Sequence, residues 1–308
     1  MSDFVAPSPP IIAVRGRARR AWRVLGAYFR LTKPRVIELL LVTTVPAMVL
    51  ADQGLPDLGL IAAVLVGGAF AAGGANTINC WIERDRDQVM RRTRNRPLPA
   101  GEIAPTHALV FGLALEVGAF LLLWATSNLL AASLAVSATL FYVFVYTIWL
   151  KPRSPQNIVI GGAAGAVPVL VGWAAVTNEV AAPAWVLFAI VFFWTPPHFW
   201  ALALRYHDDY AAAGIPMLPV VRGRRVAAQQ ILFYAVVVVA VTMVLIPVAE
   251  TGPLYAVAAC LLGAGFIHGA ERLRRDPSSE RAIRLFGLSN LYLALLFAAV
   301  AVDTFLFA

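Results

Sequence analysis

Charged side chains are scarce in this chain: they make up 14% of its 308 residues, whereas hydrophobic residues make up 60%. A mean hydropathy of +0.75 excludes a water-soluble domain that is covered by a polar surface. The two-residue alternation that is typical of membrane β-strands is also lacking, which argues against a β-barrel. We therefore expect an all-α integral membrane protein.

Cysteine is nearly absent as well. Cys80 and Cys260 are single residues in or beside apolar segments, so neither a disulfide framework nor a thiolate metal site is indicated. Residues 1–30 lack the apolar run of a signal peptide. They are expected to form a flexible basic tail, with an interfacial helix near Arg19 to Arg30, ahead of a membrane domain at residues 31–308.

Long apolar runs dominate the rest of the chain. A helix needs about 20 mostly apolar residues to cross about 30 Å of hydrocarbon, and nine segments meet this requirement. Their predicted starts lie near Pro34, Leu58, Pro105, Leu129, Asn157, Ala184, Ala228, Pro253 and Leu285.

Basic residues are missing from every second connection between these spans. All 25 Lys and Arg residues lie before or at the start of the first span or after an even-numbered one. The positive-inside rule therefore predicts a cytoplasmic amino terminus and, after nine spans, an external carboxyl terminus, in the cytoplasmic (inner) membrane. The same pattern accounts for the net charge of +8 without a nucleic-acid partner.

The first acidic cluster follows the second span. Asn79, Glu83 and Asp87 are four residues apart, and this spacing places all three on one face of a helix. Two carboxylates stacked in this way repel each other unless a cation lies between them. Mg²⁺ prefers oxygen ligands of this kind, with water and phosphate oxygens completing its octahedron.

A second acidic cluster, Asp208 and Asp209, follows the sixth span and is predicted to lie on the same side of the membrane. Several basic residues share that side, and together the two sets favour a diphosphate held between Mg²⁺ and positive groups. The rest of such a ligand must lie among apolar helices, so an isoprenyl diphosphate is the expected substrate. The basic residues in question are Arg92, Arg94, Arg96, Lys151 and Arg153.

These residues resemble a known family. The pattern Asn-x-x-x-Asp-x-x-x-Asp followed by Met-x-Arg-Thr-x-x-Arg-Pro is typical of the UbiA superfamily of intramembrane prenyltransferases. Four blocks resemble, more narrowly, its haem-farnesylating branch: residues 31–44, 154–177, 195–204 and 208–221. Here Glu83 replaces the usual first Asp, and Arg86 replaces an aliphatic residue. The superfamily pattern appears in this chain as Asn79, Glu83, Asp87, Met90, Arg92, Thr93, Arg96 and Pro97.

The resemblance implies a nine-helix bundle whose active-site cap lies on the cytoplasmic side. It also implies transfer of a farnesyl group from farnesyl diphosphate to a vinyl group of haem b, with addition of water. Asp87, Asp208, Arg92, Arg96 and Lys151 would act in catalysis. The Mg²⁺ ligands would be Asn79, Glu83, Asp87, Asp208 and Asp209.

Further residues are expected at the substrates. A lone histidine such as His198, within the sixth span, is more often a packed residue than a haem ligand, and both interpretations stay open. A downstream haem A synthase is expected as a further partner. The residues assigned to substrate binding are Lys33, Arg35, Arg153, Gln156, Asn157, His198 and Arg205.

Two other functions fit parts of the pattern. Another prenyltransferase of the superfamily, acting on an aromatic or quinone precursor, would share the acidic clusters but not the Thr32 to Arg35 and Pro155 to Asn157 blocks. A transporter would concentrate its ionisable residues near the bilayer midplane, whereas the acidic clusters here lie at the ends of spans.

The distribution of basic residues predicts the topology directly. A reporter fused after Gly101 or Gly223 should be cytoplasmic, and one fused after Ala308 should be external, because an odd number of spans separates them from the terminus. Alkaline phosphatase and fluorescent-protein fusions measure this. Finding the Gly101 and Ala308 reporters on the same side would contradict nine spans.

Overall fold

The structure, a computed structural model, describes residues 22–307, and every regular element within that range is helical. Residues 22–31 form α1, and the predicted tail before residue 22 lies outside the described residues. Nine further helices in this range are long and apolar enough to cross a membrane, as predicted. They are α2 (Pro34–Asp52), α3 (Leu58–Val89), α4 (Pro105–Thr126), α5 (Leu129–Leu150), α6 (Asn157–Thr177), α7 (Ala182–Arg205), α9 (Leu218–Val248), α10 (Pro253–Arg275) and α11 (Ser279–Phe307), and a short helix α8 (His207–Ala212) precedes α9.

Three helices begin earlier than predicted. α7 begins at Ala182 rather than Ala184, α9 at Leu218 rather than Ala228, and α11 at Ser279 rather than Leu285. The predicted starts followed the onset of apolar sequence, but backbone hydrogen bonding continues a helix through polar residues beyond the hydrocarbon. The first turn of α9 is separated from the rest by Gly223, whose φ of 78° is not helical.

Large apolar side chains lie on both the inside and the outside of the bundle. Trp200, Tyr255 and Phe266 are fully buried, and they belong to a core that α7, α9, α10 and α11 share. Trp124 and Leu261 are largely exposed, as is expected for a bundle surrounded by lipid rather than water. Packing, rather than apolarity alone, therefore distinguishes the inward faces.

Basic side chains gather at one end of the bundle, which we call the basic end. Arg224 fixes three chain segments there, because its guanidinium donates to the carbonyl oxygens of Leu204 and Pro277 and to Ser279 Oγ. At the opposite end, Asp303 of α11 accepts hydrogen bonds from the backbone N–H groups of Gly252 and Tyr255 and so caps α10. Side chains thus form hydrogen bonds with the free backbone groups of helix ends at both ends of the bundle.

The last ten residues of α5, Phe141–Leu150, are π-helical. A π-helix widens the turn and rotates the residues that follow it relative to a regular α-helix. Lys151, the next residue, and Thr147 within the segment both point to α3. The irregular end of α5 therefore determines which side chains α5 presents at the basic end.

Close approach of α2 and α6 depends on Gly172. A Cβ atom there would lie 2.8 Å from the backbone oxygen of Thr44, whereas a Cβ at Gly165 of the same helix would meet nothing within 4 Å. Gly172→Ala should lower the free energy of unfolding by about 1–3 kcal/mol, because the backbone of α2 must move.

The matched variant Gly165→Ala should be neutral or slightly stabilising, since alanine favours a helix over glycine by up to about 1 kcal/mol. Denaturant or thermal unfolding of the detergent-solubilised protein compares the two variants. Equal stabilities would mean that α2 and α6 are not held together at this position.

Candidate active site

Asn79, Glu83 and Asp87 form one buried row on α3, which we call the α3 polar face. Their exposures are 2%, 4% and 3%, whereas the side chain of Asp85, between them in sequence, is 80% exposed. The spacing of four residues produces this separation, because each step returns nearly to the same side of the helix. The predicted alignment of the three side chains is confirmed.

Each side chain of this face contacts a basic side chain. Lys33 Nζ donates to Asn79 Oδ1 at 2.7 Å, and Arg96 Nη1 donates to Asp87 Oδ2 at 2.7 Å. Lys151 Nζ lies 2.6 Å from both carboxylate oxygens of Glu83 and donates to Oε2, which leaves Oε1 without a hydrogen bond. Two buried carboxylates are thereby matched by cations of the chain itself.

Three different local structures position these basic residues. Lys33 precedes α2 in the left-handed region, with a φ of 54°, and Lys151 follows the π-helical end of α5. Arg96 lies in the turns after α3, where Thr93 Oγ1 donates to the carbonyl oxygen of Asp87 at 2.9 Å. The basic residues therefore converge on α3 from separate parts of the chain.

Burial lowers the pKa of a lysine ammonium group, whereas pairing with a carboxylate raises it. Burial lowers the pKa of Lys33, whose hydrogen-bond partner is a neutral amide. Burial also opposes the charge of Lys151, but the adjacent Glu83 carboxylate outweighs it and raises the pKa of Lys151 above its ordinary value. Lys151 is therefore a permanent cation at neutral pH.

Arg92 connects the second acidic cluster to the loop after α3. The backbone N–H of Arg92 donates to Asp209 Oδ2 at 3.3 Å, and its guanidinium donates to Tyr210 Oη at 3.1 Å. That guanidinium also lies over the rings of Tyr206 and Tyr210. Asp208 is exposed and accepts a hydrogen bond from His207 Nδ1 at 2.9 Å, which lowers the pKa of Asp208.

A small cavity of about 20 Å³ lies where the two segments meet. Its walls carry both carboxylates of the α3 polar face and several basic side chains. The loop after α3 and the segment around α8, which are separated by more than a hundred residues, therefore share one polar cavity, although neither Asp208 nor Asp209 lines it. The polar lining residues are Glu83, Arg86, Asp87, Arg92, Thr93, Arg96, Lys151 and Tyr210.

The α3 polar face is chemically suited to a hard divalent cation. Across residues 22–307 no group of three His, Cys, Asp or Glu side chains is arranged to hold a metal ion, but Mg²⁺ commonly uses only one or two carboxylates together with substrate phosphates. Glu83 and Asp87 supply two carboxylates, and Asn79 adds an amide oxygen. The buried Glu83 Oε1 accepts no hydrogen bond, but it forms an ion pair with Lys151 Nζ at 2.6 Å.

An apolar cavity of about 80 Å³ lies among α2, α3, α5 and α6. One of its lining residues, Ala75, precedes Asn79 by one helical turn, so the cavity approaches the α3 polar face from within the bundle. Small side chains make this space possible. Those on α3 and α5 are Gly68, Ala71, Ala72, Ala75, Ala135 and Ala138.

Several residues predicted at the substrates make other contacts. Arg153 donates to the carbonyl oxygens of Ile148 and Trp149 at the end of α5. Asn157 Nδ2 donates to the carbonyl oxygen of Ser154, and its Oδ1 is buried without a hydrogen bond. Arg35 is exposed, Gln156 precedes the first turn of α6, and Arg205 is exposed beside the ring of Tyr206.

His198 is buried among aromatic rings of α7 and α11. Its Nδ1 lies 2.8 Å from Ser289 Oγ, and its ring stacks on Trp194 and Phe286. Trp194 Nε1 donates to the carbonyl oxygen of the same Ser289. These contacts match the packed, hydrogen-bonded interpretation of His198 and join α7 to α11.

Several residues of the site were not predicted from the sequence. Thr147 accepts a hydrogen bond from Asn79 Nδ2 at 3.1 Å, and Lys151 lies over the ring of Tyr146. Tyr210, which adjoins Asp209 in sequence, could have been found as part of that block. Tyr146 and Thr147 carry no comparable signal, because their approach to α3 depends on the π-helical geometry of α5.

Comparisons with known proteins identify the family of this chain. Residues 40–299 match the UbiA prenyltransferase family. The chain is 55% identical over 281 residues to a protein of Frankia alni named protoheme IX farnesyltransferase, an alignment that covers 90% of this chain and 97% of that protein.

Two solved structures have a similar fold. A digeranylgeranylglyceryl phosphate synthase has a TM-score of 0.74 and 19% identity, over 91% of this chain and 98% of that one. A UbiA homolog from Archaeoglobus fulgidus bound to GPP and Mg²⁺ has a TM-score of 0.63 and 18% identity, over 89% of this chain and 99% of that one. With the family match over most of its length, this integral, multi-pass membrane chain belongs to the UbiA prenyltransferase family.

Proposed function

We propose that this protein transfers the farnesyl group of farnesyl diphosphate to a vinyl group of haem b and adds water, releasing diphosphate and haem O. The observation that carries the proposal is the buried cluster of carboxylates and basic groups at the basic end, next to an apolar cavity. The acceptor is supported by the name of the Frankia alni relative, protoheme IX farnesyltransferase.

The basic residues of the polar cavity would bind the diphosphate. Lys151 and Arg96 supply charged hydrogen-bond donors there. The guanidinium of Arg92 is a third positive group, on the side of Asp209. Donors that are already oriented stabilise the charge that develops on the leaving diphosphate. Their role is thus strongest as the bond between allylic carbon and oxygen breaks.

We propose Mg²⁺ as the cofactor, held by the α3 polar face together with Asp208 and Asp209. When bound, Mg²⁺ would neutralise the diphosphate and make it a better leaving group. The two buried carboxylates of Glu83 and Asp87, oxygen ligands of the kind that Mg²⁺ prefers, support this assignment from the chain itself. The Mg²⁺ of the Archaeoglobus fulgidus homolog supports it by likeness of fold.

The apolar cavity between α2, α3, α5 and α6 would receive the farnesyl chain. Its almost entirely apolar walls would exclude water and so protect the allylic cation after diphosphate departs. The terminal carbon of a haem vinyl group then donates its electron pair to the cation and forms the new carbon–carbon bond. Water adds to the resulting cation beside the macrocycle and loses a proton, leaving a hydroxyl group.

We further propose that the basic end faces the cytoplasm, in accord with the positive-inside rule. The loop after α3 and the segment around α8 would form the cap of the site, since Arg92 connects them through Asp209 and Tyr210. The product is more hydrophobic than haem b and stays in the bilayer. This property favours a membrane-bound consumer such as a haem A synthase.

The proposal predicts a specific product. Detergent-solubilised protein given Mg²⁺, farnesyl diphosphate and haem b should release diphosphate and form a haem that is heavier by one farnesyl group plus a hydroxyl, as measured by mass spectrometry. Para-hydroxybenzoate offered in place of haem should remain unmodified. Prenylation of the aromatic acid with unchanged haem b would overturn the choice of acceptor.

Two aspartates on α3 provide a matched comparison. Asp87→Asn should lower kcat by at least about 100-fold, equivalent to about 2.7 kcal/mol of transition-state stabilisation, because it removes a buried carboxylate from the polar cavity. Asp85→Asn, on the exposed side of the same helix, should stay within about twofold of the wild type. Steady-state haem turnover measures both. Equal activities would exclude the α3 polar face from the reaction.

A further inference from the structure

Every side chain of the α3 polar face is already in contact with a cation of the chain. Lys33 contacts Asn79, Lys151 contacts Glu83, and Arg96 contacts Asp87. Three separate segments supply these partners. These contacts affect how ligands can bind at the site. The inference rests on the proposed function, in which the ligands are a divalent cation and a diphosphate.

The basic groups occupy the atoms that a metal ion would need. Lys33 Nζ lies 2.7 Å from Asn79 Oδ1, the acceptor atom of that amide, and Lys151 Nζ lies 2.6 Å from both oxygens of Glu83. Metal ligation requires the lone pairs of these oxygens to point at the ion. An ion bound there would stand next to an ammonium group, so each ammonium and the ion compete for the same oxygens.

The balance of charge favours the ammonium groups over a bare ion. Lys33, Lys151 and Arg96 contact the α3 polar face, which contains only two carboxylates, Glu83 and Asp87. The cluster therefore carries an excess of positive charge. A bare divalent ion would add to that excess in a partly buried environment, where charges are poorly screened. An ion that enters with a diphosphate brings much less positive charge, and the diphosphate oxygens offer new partners to the displaced basic groups.

We propose that Lys33, Lys151 and Arg96 exchange partners when substrate binds: each leaves its oxygen on the α3 polar face for an oxygen of the diphosphate, and the divalent cation takes its place. The metal and the diphosphate therefore bind together, and the metal binds weakly alone. By linkage, each ligand strengthens the binding of the other by the same factor. The basic residues serve first as substitutes for the metal and then as ligands of the diphosphate.

The exchange predicts opposite effects of one substitution on two ligands. In Lys151→Met and in Lys33→Met, the affinity for Mn²⁺ alone should rise by about tenfold, since removing one competing charged contact is worth about 1.4 kcal/mol. The affinity of the same variants for inorganic diphosphate, measured in EDTA, should fall by about tenfold or more. A group that binds only diphosphate would not raise metal affinity, and a group that only supports Glu83 or Asn79 would not lower diphosphate affinity.

The measurements use the full chain in detergent. Loss of the electron paramagnetic resonance signal of free Mn²⁺ measures metal binding. Equilibrium dialysis of labelled diphosphate, carried out in EDTA, measures diphosphate binding. Arg84→Met is the matched control, because Arg84 lies on α3 and its side chain contacts Trp81 and Asp85 rather than the polar face. The control removes the same charge from the same end and should change neither affinity by more than about twofold.

Lys33→Met keeps the test valid if Lys151→Met misfolds, because Lys33 contacts a neutral amide and its removal leaves no buried carboxylate without a cation. Elution volume and far-ultraviolet circular dichroism establish folding. The proposed exchange of partners would be overturned if, in the folded lysine variants, the affinity for Mn²⁺ did not rise or the affinity for diphosphate did not fall. If the wild-type protein still forms farnesylated haem, the proposed function would stand although the exchange is wrong. If the wild-type protein binds neither Mn²⁺ nor diphosphate and forms no product, the proposed function itself would be overturned.

Discussion

Two carboxylates buried at the end of an apolar bundle require positive partners, and much of the structure at the basic end follows from this requirement. An unpaired buried carboxylate would cost several kcal/mol, and Glu83 and Asp87 are each less than 5% exposed. Lys151 and Arg96 meet the need at 2.6 and 2.7 Å. The pairs also hold the end of α5 and the turns after α3 against one helix, so charge pairing and tertiary structure depend on each other.

The irregular backbone at this end has a consistent function. The left-handed conformation at Lys33 and the π-helical end of α5 both precede a lysine that reaches α3. Regular helices would present their side chains along fixed stripes, and departures from regularity redirect single residues. Irregular segments of this kind concentrate at functional sites, and here they bring basic groups from distant parts of the chain to one buried row.

The sequence was sufficient for what depends on local spacing. Nine apolar segments and the row of Asn79, Glu83 and Asp87 follow from helix geometry and were predicted correctly. Helix starts at Leu218 and Ser279 were missed because hydropathy does not register a helix beyond the hydrocarbon. The pairing of Lys151 with Glu83 and the contact of Thr147 with Asn79 depend on the π-helix and on packing, which one sequence does not encode locally.

The position of the charged cluster also explains how one site can serve ligands of opposite character. Charge at the bilayer midplane is costly, whereas at a helix end a diphosphate and a hard cation can be reached from water. The small residues of α3 and α5 open an apolar cavity that begins one turn from Asn79. In the proposed function a prenyl diphosphate would bridge these environments at the bond that breaks, which would place the allylic carbon at the boundary between the α3 polar face and the apolar cavity.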